Sequence, residues 1–307
     1  MRHDWSNATR GGNPRRFDLS TEVAEAPKTQ SYVARHFIEL AAWAVFTAYW
    51  FPAFKHFMVA WDNPDGYYSH GYLIPFMCGW TAWLLKDSAS KLTPKPSTWA
   101  IVMLIVILGL ATAFGAINSM TLRGLMFPIC VAAFVAALYG WEYVRVFAFP
   151  IFYLYFLCPI PDFMLLQISA KVQLWSTTIA TLMSKVIGIN AIQNGNFIAT
   201  DNCDIEVGQA CSGFRMLVAL TAFAVFLVYA VKGESWRKAL FVMLAMPLAV
   251  IVNSLRVAIL VAVGHYWDPE MVHVLHNYSG YVSLLVAFVL MYWIARLLGC
   301  REFRLMG

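Results

Sequence analysis

Gln209-Ala210-Cys211-Ser212-Gly213-Phe214-Arg215 opens onto Met216–Val231, which reads MLVALTAFAVFLVYAV and carries no charge. A run of this kind decides the fold class. About 20 apolar residues, rising about 1.5 Å each, cross the hydrocarbon core of a bilayer as a helix. Only a helix or a closed barrel satisfies its own backbone groups there. A polar, strand-like stretch, Asn194 to Val207, precedes the run. The heptapeptide therefore sits at a predicted membrane edge, with a cysteine at the start of a helix.

Working outward, apolar segments recur at 37–58, 71–85, 99–117, 122–140, 144–160, 212–231, 238–264 and 279–297. The expectation is an all-α polytopic membrane protein with about eight transmembrane helices. The second and fifth segments are short and read as broken or partly re-entrant. Gln167, Lys171, Gln173 and Lys185 interrupt 162–187, which reads as an amphipathic helix lying at the interface. Asn194-Gly195 is a hairpin-turn dipeptide. Around it, Asn196–Thr200 and Cys203–Val207 predict a small ribbon on the outer face that delivers Cys211 to its helix.

Composition agrees. Of the 307 residues, 60% are hydrophobic and 13% charged, against about 25% charged in a soluble domain. Residues 1–34 read as a disordered cytoplasmic tail, 35–298 as one transmembrane domain, and 299–307 as a basic cytoplasmic tail. No cleavable signal peptide is expected. The net charge of +5 reflects basic cytoplasmic loops rather than a nucleic-acid surface, since no basic run interleaves with aromatics.

Loop charge orients the chain. With the amino terminus inside, all but six of the 22 Lys and Arg fall in the inner tails and loops; the exceptions are Lys55, Arg123, Lys171, Lys185, Arg215 and Arg256. The outer loops carry Asp62, Asp65, Asp162, Asp201, Asp204, Glu206, Asp268 and Glu270 instead. This is the positive-inside pattern, and it turns Cys211, Arg256 and His276 toward one outer face.

These three are the candidate reacting residues. Cys211 gains thiolate character if a helix amino terminus favours its negative charge. Ser212 adjoins it, Gly213 admits a close backbone approach, and Arg215 adds positive potential one turn on. A packing cysteine, or a disulfide with Cys203, is the alternative. Arg256 lies inside an apolar run, where a charge costs at least about 2.5–3.5 kcal/mol. Asn253, one turn away, is placed to orient it; a snorkelling structural arginine is the alternative. His276 opens the last apolar segment, with His265 and His273 as rivals. Ser69-His70-Gly71 reads as a loop structuring the outer face. The six cysteines form no CxxC pair, no HExxH occurs, and no carboxylate has ligand spacing, so no metal or organic cofactor is implied.

Ala210-Cys211-Ser212-Gly213, Asn253-x-x-Arg256 and His276 before Gly280, in this order, resemble the exosortase branch of the exosortase/archaeosortase family. Ser69-His70-Gly71-Tyr72-Leu73-Ile74-Pro75 and Phe149-Pro150 through Pro159-Ile160-Pro161 are also similar to it. Phe214 departs from the leucine common after the glycine. The resemblance spans roughly 37–298 and implies a membrane cysteine protease-transpeptidase at the periplasmic face of a bacterial inner membrane. It implies Cys211 as nucleophile, Arg256 as electrostatic member and His276 as acid-base member, with Ser69, His70, Gly71, Ser212, Gly213, Arg215 and Asn253 in support. The implied partners are membrane lipids and exported proteins. Such substrates end in a Pro-Glu-Pro-like motif, a membrane helix and basic residues, and the family often accompanies exopolysaccharide production. The rival reading is a transporter, or a component handling lipid-linked polysaccharide, with Arg256 binding an anionic head group.

Overall fold

A computed structural model describes residues 28–63, 67–208, 213–267 and 269–299. The fold is all-α and multi-pass. Helix α1 spans Lys28–Asp62. A 3₁₀ turn, Ser69–Tyr72, leads into α2 (Leu73–Leu84) and the short α3 (Lys86–Ser90). Then come α4 (Thr98–Ala116), α5 (Met120–Leu125), α6 (Phe127–Leu138), α7 (Trp141–Val146) and α8 (Ala148–Tyr153). A second 3₁₀ turn, Leu154–Leu157, precedes α9 (Asp162–Val186). Strands β1 (Ile192–Asn194), β2 (Phe197–Ala199) and β3 (Asp204–Glu206) follow. The chain continues with α10 (Phe214–Ala230), α11 (Ser235–Tyr266) and α12 (Pro269–Leu297).

Residues up to Thr47 and those from Ala48 onward form two compact units. The described part of the first is the opening of α1, where Phe37, Ile38, Leu40 and Val45 are exposed and Trp43 meets Phe46 edge-on.

Among the described residues, five helices are long and apolar enough to cross a bilayer: His36–Asp62, Thr98–Ala116, Met120–Leu138, Ser235–Tyr266 and Val274–Leu297. A sixth span results if Ala148–Leu157 and Asp162–Val186, bent by 78°, count as one. The sequence leads one to expect about eight, and the difference has a physical source. Segment 71–85 folds as a 3₁₀ turn plus only 12 residues of helix. Segment 144–160 is broken into α7, α8 and a 3₁₀ turn. The described helix of 212–231 has 17 residues. The two segments read as short or broken are among these three.

Helices α10, α11 and α12 pack through Leu220, Ala224, Ala245, Ala249, Ala287, Met291 and Ala295. The alanines let the backbones approach, because packing rather than water exclusion drives helix association in lipid. On the other side of α11, α9 packs through a buried face that includes Ser169, Val172, Ser176, Thr177, Ala180 and Ser184, while Phe163, Leu166, Trp175, Leu182 and Val186 are exposed. The buried hydroxyls are satisfied within the helix: Thr177 donates to the Gln173 carbonyl and Ser184 to that of Ala180.

The ribbon forms as a three-stranded antiparallel meander, β1-β2-β3, with Asn194 opposite Phe197 and Ile198 opposite Ile205. Its turn centres on Gly195-Asn196, one residue later than expected, with Gly195 at φ 64°. This is the hairpin type that takes glycine first. Ile198 and Val207 join Val257, Ala258 and Val261 in a second core, which fixes the ribbon to the carboxyl-terminal half of α11. Asn202 reinforces this by donating to the His265 carbonyl at 2.8 Å.

Candidate functional site

The end of α1, the Ser69–Tyr72 turn, the start of α10, the middle of α11 and the first half of α12 enclose a cavity of about 700 Å³. Ser69, Gly213, Arg215, Asn253, Arg256 and His276 line it together with Trp61, Asp62, Asn63, Met216, Tyr278, Gly280, Tyr281 and Leu284. Six residues singled out from the sequence, spread over more than 200 positions, thus share one chamber. Cys211 and Ser212 lie outside the described residues.

Arg256 is 8% exposed on α11. Its Nε donates to Ser279 Oγ at 2.8 Å and its Nη2 to the His276 carbonyl at 3.1 Å. Ser279 Oγ itself donates to the same carbonyl at 3.2 Å. The guanidinium is therefore held in a fixed plane by one turn of α12, the turn that carries His276. A second arginine within an apolar span shows the contrast. Arg123 donates to the Tyr49 carbonyl at 2.8 Å and lies over the Tyr49 and Trp50 rings. It ties α5 to α1 and does not line this cavity.

Gly213 has φ 75° and caps α10, which begins at Phe214. A β-carbon there would lie 2.8 Å from Asn253 Cγ. The glycine thus accommodates a left-handed turn beside the buried Asn253 side chain, and it lines the cavity. Asn253, 1% exposed, packs against Gly213. The expected placing of Cys211 at the helix start falls outside the described residues; the described helix runs Phe214–Ala230.

Ser69-His70-Gly71 structures the chamber wall. Gly71 is buried, and a β-carbon there would fall 2.3 Å from Trp61 Nε1. The Trp61 indole can lie flat on this turn for that reason, and it donates to the Leu157 carbonyl at 3.3 Å. Ser69 lines the cavity, whereas His70 and Gly71 stand behind it. Both His70 ring nitrogens are buried. Burial pushes the His70 pKa down to about 4, opposed in part by the Phe156 backbone. Tyr68 accepts the Ile160 N–H at 2.9 Å, pinning the Pro159–Pro161 turn, and burial raises its pKa to about 12.

Four other cysteines are described. Cys78, Cys130 and Cys158 are buried and free. Cys78 donates to the Pro150 carbonyl and Cys158 to the Gly124 carbonyl, as packing thiols do. Cys203 is a free thiol whose Sγ lies 2.8 Å from where a β-carbon on Gly264 would be. Among the described residues no three His, Cys, Asp or Glu side chains could together hold a metal ion.

Sequence reasoning missed the aromatic and acidic parts of the wall: Trp61, Asp62, Tyr278 and Tyr281. Asp62 is the one carboxylate among the described lining residues, and it accepts a 2.6 Å bond from the Tyr72 hydroxyl. Ser279-Gly280 stands out in the sequence just after His276, but the bond from Arg256 to Ser279 was not foreseen.

Fold and site together define a multi-pass helical membrane protein with a polar, arginine-bearing chamber. The transmembrane exosortase family model matches residues 61–293, three quarters of the chain and the whole of the described cavity lining. The chain belongs to the transmembrane exosortase family. No curated protein and no solved structure matches it.

Proposed function

We propose that this exosortase is a thiol protease-transpeptidase. It removes the C-terminal sorting tail of exported proteins at the outer face of a bacterial inner membrane, in cells that make exopolysaccharide. The tail carries a Pro-Glu-Pro-like motif, a membrane helix and a basic end. One observation carries the reading: Arg256 is bonded to the carbonyl of His276, and both residues line one cavity with Gly213, two residues from Cys211 in the sequence.

In the reaction, His276 takes the Cys211 thiol proton and the thiolate attacks the scissile carbonyl carbon. Negative charge develops on the carbonyl oxygen, and the Arg256 guanidinium stabilises it. A donor fixed in advance where charge develops needs no reorganisation at the moment of reaction. The C–N bond then breaks, and the imidazolium returns its proton to the leaving amine. The remaining thioester passes its acyl group to an amine or to water, restoring the thiol.

The test is cleavage of a co-expressed reporter ending in such a tail. Cys211→Ala abolishes cleavage while the protein still accumulates in the membrane, because the substitution removes the nucleophile and little packing volume. Cys203→Ala retains most activity. Normal cleavage by Cys211→Ala, or a Cys203–Cys211 disulfide found by mass spectrometry in the active form, overturns the assignment.

A further inference from the structure

We propose that Ser279 is a positioning residue for Arg256, a role that rests on the reading of the site given above. A serine hydroxyl has one proton and two lone pairs. Ser279 gives its proton to the His276 carbonyl at 3.2 Å, within its own helix turn. A lone pair then faces Arg256 Nε, which donates to it at 2.8 Å. Arg256 Nη2 reaches the same His276 carbonyl at 3.1 Å. Three groups thus close a triangle: the hydroxyl of 279, the backbone of 276, and one edge of the guanidinium.

The triangle has a mechanical consequence. A guanidinium held at a single nitrogen can rotate about that bond, whereas one held at Nε and Nη2 has its plane set. A long arginine side chain otherwise carries substantial rotamer freedom. Ser279 removes it, and it does so from the turn that presents His276. The orientation of the charge and the placement of the imidazole are therefore coupled through one hydroxyl. Positioning matters because stabilisation of an oxyanion depends on where the donor stands when charge develops.

The experiment uses the full-length protein in membranes and a co-expressed reporter carrying the tail described above. Ser279→Ala, Ser279→Thr, Arg256→Lys and the Ser279→Ala/Arg256→Lys double variant are compared at equal protein level. Ser279→Ala is expected to slow cleavage roughly tenfold, the scale of one hydrogen bond to a charged group. Ser279→Thr restores most of the rate, since a helical threonine hydroxyl can make the same bond to its preceding turn. In the Arg256→Lys background Ser279→Ala costs less than about twofold, because lysine has no Nε to position. Full activity of Ser279→Ala, or an undiminished loss in the lysine background, overturns the proposal. If wild type fails to cleave the reporter, the functional reading falls. The link itself is then decided by thermal unfolding in detergent: coupled Tm changes for the two substitutions keep it, and additive changes remove it.

Discussion

The Asn253 side chain occupies the space that a β-carbon on Gly213 would need, with Cγ 2.8 Å and Cβ 2.9 Å from that point. Gly213 is also left-handed at φ 75°. Alanine there meets two penalties: about 1–2 kcal/mol for the backbone conformation, and displacement of a buried amide. Gly213→Ala is expected to lower reporter cleavage more than about tenfold. Adding Asn253→Ala removes the Cγ contact but keeps a β-carbon 2.9 Å away and leaves the backbone strain, so the double variant is expected to recover little of the rate. Full activity of Gly213→Ala, measured as cleavage per amount of enzyme, would show that the left-handed turn is dispensable.

Arg256→Lys tests geometry against charge. Lysine keeps the positive charge but cannot bond Ser279 and the His276 carbonyl through one planar edge. The expected result is near wild-type accumulation with cleavage reduced roughly 10²–10³-fold, the scale for losing an oxyanion donor. Near-full activity would reduce Arg256 to a positive anchor. Loss of the protein itself would make its role structural.

His70 makes stability depend on acid. Its pKa is lowered from 6.5 to about 4 by burial. Above the unfolded value both states are neutral and pH has no effect through this group. Below it the unfolded chain takes up a proton that the folded chain refuses, so stability falls as pH drops from about 6.5 and levels off near 4. Thermal unfolding in detergent at pH 7.5, 5.5 and 4.5 is expected to show a declining Tm. His70→Phe should flatten that decline. Equal slopes for the two proteins would place the acid sensitivity elsewhere.

Reporter fusions test the orientation read from loop charge. Fusions after Lys86, Lys232 and Arg304 are expected to report cytoplasm, and those near Asp65, Asn202 and Glu270 periplasm. A cytoplasmic signal at Asn202 would put the ribbon, and the chain leading to Cys211, on the wrong side for an exported substrate.

Fold class was legible in the residues themselves, because a lipid-crossing helix must be apolar over a length set by the bilayer, a one-dimensional property of the chain. The importance of Arg256 was legible for the same reason: a charge inside such a run is costly and demands a partner. Which partner it takes was not legible. Asn253 was the neighbour expected from helical spacing, yet Ser279 and the His276 carbonyl hold the guanidinium. They lie on another helix, and interhelix register depends on how Ala245, Ala249, Ala287 and Met291 pack. That 71–85 and 144–160 are short or broken was legible in the sequence, whereas the places where 3₁₀ turns break them were decided by the fold. Gly213 shows the same division. Its presence marked a tight place in the sequence, and only the tertiary fold decided that the buried amide of Asn253 fills the space its missing side chain leaves.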